Sequence, residues 1–566
     1  MKENNKKFQI ILKEKAFEKI IYSDKKISVL DIIKNYNPDK NYNPDKKREI
    51  IACYINNKYA DLTDSVENDS IIQFIYLNNE IGLNIYRDTA VHILAYVIKN
   101  IFNADLLRIG PSIRYNYYFD IDKKIKIDKK ILKRIESKML EIIKNDIPIK
   151  KELVSKETAI NFYKKKKEFD KANLIYNIPN KEIKFYSIEN FKEHCQGPLA
   201  TSTGIIKKFK IIDYPPGFLL VFPKIENGKL KIRYEKPPEK LSKIFLETRN
   251  WYNEQGVTTI AQLNSIINEN KITELITVSE ALHEKKIAQI ADIITKNKDE
   301  IKLILIAGPS ASGKTTFSKR LSVQLRVNGI KPILISLDNY FLDREKTPKD
   351  EEGNYDFESI YALDLKLLNK HLSELLKGKK IMMPIYDFKI GKRRENRIPL
   401  QLEKDQIILI EGIHGLNEEL TSKIPKKKKF KIYVSALTQL KISSYHRITT
   451  TDTRLLRRIV RDAKFRNHSA LQTLRMWQRV RKGEEKYIFP FQEDADIMFN
   501  SALVYETAVL KYYVYNLLLQ IPHNEPEYAE ARRLIEILDY FIPITDKDVP
   551  KTSILREFIG GSSFKY

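Results

Sequence analysis

Apolar and polar positions change period several times along the chain, and each change predicts an element. Residues 8–12 and 19–22 alternate and predict a hairpin; 29–34 follow the helical period; Ile50–Ile55 and 71–76 predict two more strands. Between them stands a tandem hexapeptide, Asn35-Tyr-Asn-Pro-Asp-Lys40 and Asn41-Tyr-Asn-Pro-Asp-Lys46, whose Asn-Pro and Pro-Asp steps form turns and mark a duplicated loop. From 79 to 225 long helices (89–100 and Lys129–Lys144) mix with strands, and the turn 214–217 precedes an apolar strand over 218–222. Residues 226–298 are mostly helical and polar, including 278–296, and are expected to bridge two halves. From 299 onward, apolar runs at 301–307, 332–337 and 407–410 alternate with helical stretches, the signature of a parallel sheet covered by helices. A tail from 521 holds an amphipathic helix over 527–541, with Leu534, Ile535, Leu538 and Phe541 on its apolar face. The expected units are therefore 1–78, 79–225, a linker over 226–298, 299–520 and a tail over 521–566.

Composition narrows this little. With 566 residues the chain exceeds one core, and 42% hydrophobic content lets each unit bury its own. No stretch approaches the ~18 apolar residues of a membrane span, and Met-Lys-Glu-Asn-Asn-Lys-Lys leads into no secretion signal. The two cysteines, Cys53 and Cys195, fit a reducing compartment, so a cytoplasmic location and no membrane partner are expected. The net charge of +26 leaves contact with nucleic acid open, but lysine is abundant everywhere, and the runs 164–167 and 426–429 read as solvated.

The decisive chemistry lies at 308–316. Gly308-Pro309-Ser310-Ala311-Ser312-Gly313-Lys314-Thr315 completes G-x-x-x-x-G-K-[ST], and Thr316 follows on the helix. The loop follows an apolar strand and opens a helix carrying Phe317, Leu321 and Leu325, as a phosphate-binding loop requires. Its N–H groups would cradle phosphate, Lys314 would reach the β and γ phosphates of ATP, and Thr315 would hold Mg²⁺. The next strand ends in Ser336-Leu-Asp338, which places a carboxylate where ligands of such sheets collect. Asp338 could accept the proton of an attacking hydroxyl or hold the metal. Another apolar strand ends in Glu411, a second metal-ordering position. Arg454, Arg458 and Arg461 then recur at i, i+4 and i+7 on one helix, a cationic face able to close over phosphates.

In this order these pieces resemble the uridine kinase and phosphoribulokinase family of P-loop kinases over about 300–505, with Asn354-Tyr-Asp356, Pro384-Ile-Tyr386-Asp-Phe388, Glu411-Gly412 and Arg457-Arg458-x-x-Arg461-Asp462 as further marks. The resemblance implies that Asp338 is the base for a nucleoside 5′-hydroxyl. It implies that Asp356 contacts ribose, Tyr386 lines the nucleoside pocket, Arg458 lies near the acceptor, and Arg461 and Arg466 belong to the lid. Three positions depart from the family: Gly391 replaces a base-contacting histidine, Arg466-Asn467-His468 replaces Arg-Gly-Arg, and Met476 replaces a pocket glutamine. The phosphate machinery is kept while the base-reading contacts are not, so the acceptor stays open between a nucleoside and another small hydroxyl-bearing metabolite.

The first unit resembles a TGS domain, a ubiquitin-like β-grasp module, and the second the α+β editing domain of threonyl-tRNA synthetase. The likeness rests on Asp88-Thr-Ala-Val-His92-Ile-Leu-Ala95, Ile109-Gly-Pro-Ser-Ile-Arg-Tyr-Asn-Tyr-Tyr-Phe-Asp120 and Cys195-Gln-Gly-Pro-Leu199. That family gathers metal ligands as H-x-x-x-H with C-x-x-x-H; here Asp88 and Leu199 replace two histidines. Zinc is not expected, with Asp88, His92 and Cys195 as the residual candidate set. The resulting expectation is an α/β P-loop kinase behind a β-grasp and an α+β unit, taking ATP and Mg²⁺. A regulatory P-loop ATPase that contacts tRNA or RNA through its front half is the rival. A GTPase ranks last, because no Asn-Lys-x-Asp element follows the loop.

Overall fold

The computed structural model describes all residues except 1–6, 15–17, 37–48, 103–106, 114, 122–126, 234–237, 351–352, 388–389, 444–445 and 566. Most of the tandem hexapeptide, and Phe388, lie outside the described residues.

The strands Glu18–Ser23, Phe8–Lys13, Ser70–Tyr76, Ile50–Ile55 and Lys58–Ala60 form one sheet in that spatial order. Its first and last long strands, Phe8–Lys13 and Ser70–Tyr76, pair in parallel, and helix Val29–Tyr36 buries Val29 and Ile32 against Ile10, Leu12 and Ile72. Beyond it, four antiparallel strands (Lys210–Tyr214, Gly217–Val221, Asn116–Ile121, Leu107–Ile113) carry helices Glu80–Phe102 and Lys129–Lys144. The first of these helices starts well before the expected 89. Leu83, Ile85, Tyr86, Ala90 and Ile93 are all buried, so its apolar surface runs round the helix and gives no clean period to mark its start.

The C-terminal half is built on five parallel strands in the spatial order Lys331–Ser336, Gln406–Glu411, Leu303–Ala307, Lys429–Ser435, Ile497–Asn500. Every residue of Leu303–Ala307 is buried, as a strand covered on both faces demands. Register sets the site: Glu411 stands opposite both Ile306 and Ser336, so three strands end level with the loop that follows Ala307.

Two expectations change here. Residues 226–298 are not a spacer: helices Glu239–Glu254, Ile260–Asn268 and Ile272–Lys296 place Tyr252, Leu263, Ile276, Ile287 and Ile290 in the same core as the parallel sheet. Buried Arg320 on the helix after the loop pairs with Glu280 and Glu284 of the last of them. The polar positions that suggested a linker are the outer faces of core helices. Lys429 is likewise not solvated; it is buried, with its ammonium 2.8 Å from Glu418. Among the described residues no helix is long and apolar enough to cross a membrane.

Candidate functional site

The loop 308–313 bridges the central strand and helix Lys314–Val327, as its motif predicts. Gly313 sits at φ +85°, and a Cβ there would lie 2.4 Å from Ile554 Cγ2 of the C-terminal tail. The backbone conformation and the close neighbour both require glycine. Lys314 curls back, its Nζ 3.1 Å from the Pro309 carbonyl. Burial lowers its pKa, and the carboxylates of Glu411, Glu557 and Asp338 oppose that shift.

Asp338 lies in the short turn Leu337–Tyr340 just past its strand, with its N–H 3.3 Å from Ser336 Oγ. Asp338 is solvent-exposed at this edge, yet the protein crowding around it raises its pKa, against Lys314, Arg466 and Arg461. Ser336 Oγ also donates to Glu411 at 3.2 Å. Burial and the negative charges of Asp338 and Glu557 push Glu411 up to about 7, while Lys314 and the Ser336 hydrogen bond pull it down. The structure thus brings Lys314, Asp338, Glu411, Arg461 and Arg466 into one electrostatic group at the carboxyl ends of the strands.

The arginine helix, Thr450–Phe465, divides its work more finely than its spacing suggests. Arg454 is 1% exposed and ion-paired to fully buried Glu484, and its Nε donates to the Ser310 carbonyl at 2.9 Å. It braces the loop from within and is not a mobile lid group. Arg457 is equally buried, 2.6 Å from Glu506. Arg458 donates to Ser310 Oγ at 2.8 Å, which sets it on the phosphate loop, with Glu358 among its charged neighbours. Arg461 holds Asp462 at 2.9 Å, and Arg466, half exposed, lies 3.7 Å from the same carboxylate.

On the far side of the cleft Asp356 accepts from Tyr487 Oη at 2.8 Å. Tyr386 is buried beside Phe341, ring centroids 5.6 Å apart, and its N–H faces Asn339, next to Asp338. Gly391 has φ +69°, and a Cβ would stand 2.8 Å from the Arg344 guanidinium, so an arginine occupies the space beside this position. Met476 is half-buried, and His468 Nδ1 is buried without a partner.

Sequence reasoning missed four groups here. Glu358 is pushed up to about 7, first by burial and then by Glu484. Glu484 accepts from Ser310 N at 3.0 Å. Glu557 accepts from Thr316 N and Oγ1 at 3.0 and 2.8 Å, and Arg457 has a purely internal role. None of the three glutamates carries a local motif, because each acts across a long stretch of chain, and the motif around Arg457 does not show its internal role.

In the front half, Asp88 and Cys195 line a cavity of about 800 Å³ between the two halves, whereas His92 packs edge-on to Phe191 at 5.1 Å with both ring nitrogens unpartnered. Burial lowers His92 to about 4 and raises Cys195 to about 12. Among the described residues no three His, Cys, Asp or Glu side chains gather as metal ligands.

Residues 303–508 match the Phosphoribulokinase / Uridine kinase family. The C-terminal half is a P-loop kinase domain. The front half is similar to threonine–tRNA ligases: 31% identical over 188 residues to that of Carboxydothermus hydrogenoformans (33% of this chain, 29% of the relative), and 36% over 166 residues to that of Desulforamulus reducens (29% and 26%). The chain spans less than a third of the length of these curated relatives. Among solved structures, a possible uridine kinase from Bacillus stearothermophilus is 23% identical, with 37% of this chain and 97% of that one covered at a TM-score of 0.26.

Proposed function

We propose that the kinase domain transfers the γ-phosphoryl group of ATP to a hydroxyl of a small acceptor, with a nucleoside 5′-hydroxyl the leading candidate. The observation that carries this reading is the placement of Asp338: a carboxylate just past its strand, at the sheet edge that holds the phosphate loop, and within electrostatic reach of Lys314, Arg461 and Arg466. Tyr386, whose N–H faces Asn339 next to Asp338, and Asp356, which accepts from Tyr487, are the groups expected to hold the acceptor.

In this reading the loop N–H groups and Lys314 bind the β and γ phosphates, and Arg461 and Arg466 stabilise charge on the transferring oxygens. Asp338 orients the acceptor hydroxyl and takes its proton as the new P–O bond forms and the bond to the β-phosphate oxygen breaks. The Thr315 hydroxyl and the Glu411 carboxylate are hard oxygen donors suited to Mg²⁺, and Glu411, crowded by Asp338 and Glu557, is a carboxylate that a cation would stabilise. A Mg²⁺ ion held by these two residues would supply charge neutralisation for the phosphates. The Arg344 guanidinium beside Gly391 supports an acceptor read differently from the family's pyrimidines.

The test is a screen of Mg-ATP against nucleosides and small phosphorylated sugars, repeated with Asp338→Asn. Transfer to one acceptor class that falls by about 10²-fold or more in the variant supports the reading. Acceptor-independent hydrolysis unchanged by the substitution refutes it.

One observation favours a second activity, contact with the end of a tRNA or other RNA. The cavity between the halves sets guanidinium groups on aromatic faces, Arg447 4.8 Å from the Tyr117 ring and Arg87 5.9 Å from that of Tyr115. Such surfaces suit bases and phosphates. Binding of tRNA that weakens steeply with salt supports it; salt-independent or absent binding removes it.

A further inference from the structure

The first turn of helix Lys314–Val327 is already occupied. Thr316 presents its N–H and its hydroxyl to a single oxygen, Glu557 Oε2, at 3.0 and 2.8 Å. This N–H is one of the early helical donors left without an intrahelical acceptor, the type of group that binds phosphate in such loops. Glu557 also lies close enough to Lys314 and Glu411 to perturb both. A carboxylate from the C-terminal segment therefore takes the helix-start donors that a phosphate oxygen would take, and its negative charge acts on half-buried Lys314.

The carboxylate is delivered by a fixed segment. Ile554, Leu555, Phe558 and Ile559 are each at most 1% exposed in the core of the kinase domain, so apolar burial fixes the segment. Lys464 on the arginine helix donates to the Ile559 carbonyl at 2.5 Å, Arg556 donates to the Val549 carbonyl at 2.7 Å, and the Arg457 guanidinium lies 5.0 Å from the Phe558 ring. Peeling this segment away would expose all four apolar side chains, whereas rotating the half-buried Glu557 side chain exposes none.

The second carboxylate on the loop behaves differently. Glu484, bonded to Ser310 N, is neutralised by Arg454 and Arg481 and is a permanent brace. The hydrogen-bond partners of Glu557 are the two donors of Thr316.

We propose that Glu557 is an affinity-determining residue of the donor site, a built-in competitor that a polyphosphate must displace from Thr316 by turning the carboxylate aside. This rests on the reading of 308–316 as that donor site. Displacement removes one negative charge from the neighbourhood of the incoming phosphates and transfers the Thr316 donors to a phosphate oxygen. Because binding must first break the Thr316–Glu557 contact, Glu557 lowers the apparent affinity for the whole triphosphate.

The test uses the full-length protein. Isothermal titration with Mg-ATP, and separately with inorganic tripolyphosphate, is run on the wild type, Glu557→Gln and Glu557→Ala, with circular dichroism confirming that each is folded. Glutamine keeps an acceptor for Thr316 but loses the charge, so it isolates the competition from the hydrogen bond. Both ligands should bind Glu557→Gln about ten-fold more tightly than wild type, and Glu557→Ala should shift in the same direction. Unchanged or weaker binding of tripolyphosphate to both variants overturns the proposal. If tripolyphosphate tightens but no variant phosphorylates any acceptor, the competition stands and the kinase reading falls. If the wild type phosphorylates an acceptor and binding does not tighten, the kinase reading stands and the competition falls. If tripolyphosphate binds none of the three proteins, both fall.

Discussion

The buried pair Arg454–Glu484 gives the sharpest test of how the phosphate loop is held. The two side chains are 1% and 0% exposed, and they meet beneath the loop, where Glu484 takes the Ser310 N–H and Arg454 the Ser310 carbonyl. Replacing Glu484 by Gln keeps an oxygen for Ser310 N, so the substitution removes charge and little else. Arg481 is 20% exposed and can turn to solvent, but Arg454 has nowhere to go. Stranding one member of a buried pair costs about 3–5 kcal/mol. For a domain of this size that is a fall of roughly 6–20 °C in melting temperature. The Arg454 guanidinium lies 5.4 Å from the Trp477 ring, and only one other tryptophan is present, so tryptophan fluorescence during urea unfolding reports directly on the site. Arg454→Met combined with Glu484→Gln removes the stranded charge and should recover part of the loss, less about 1 kcal/mol for the hydrogen bond to Ser310. A single variant within about 1 kcal/mol of wild type, or a double variant whose losses simply add, would refute the argument.

Two further outcomes are expected. Asp88 is solvent-exposed where it lines the cavity, yet the protein enclosing that cavity raises its carboxyl from 3.8 to about 6, so the folded state binds its proton more tightly than the unfolded state. Wild-type stability should therefore fall as pH rises from about 4 through 6 relative to Asp88→Asn, with the variant melting higher at pH 7 and the two converging below pH 4; parallel profiles would contradict this. Gly391→Ala forces a side chain into the left-handed region and against Arg344, and should lower stability by about 1–2 kcal/mol in urea melts, whereas a neutral result would mean that Arg344 yields freely.

What the sequence made legible follows the range of the interactions. The phosphate loop, the parallel strands and Asp338 and Glu411 at their ends are encoded in contiguous runs, and the structure places them as those runs imply. Helix Glu80–Phe102 is longer than its apolar pattern predicts because a helix buried on most sides shows no amphipathic period. The helices between 239 and 296 read as a linker because charged and polar side chains on their outer faces interrupt the core-facing positions that join them to the sheet.

The carboxylates of the site could not be read in the same way, and the reason is electrostatic. A buried charge is tolerated only where its partner is placed, and here the partner is remote in sequence: Glu484 is 30 residues from Arg454 and 174 from Ser310, and Glu557 is 241 from Thr316. Nothing around any of these glutamates differs from a surface helix or a polar tail until tertiary packing brings them to the loop. The arginine helix shows the same effect in reverse. Its spacing announces a cationic face, yet Arg454 and Arg457 are spent on internal carboxylates. Charge on the donor side is therefore set by the fold as a whole: of the groups that act on Lys314, Glu411 and Asp338 stand at predictable strand ends, while Glu557 arrives only with the docked C-terminus.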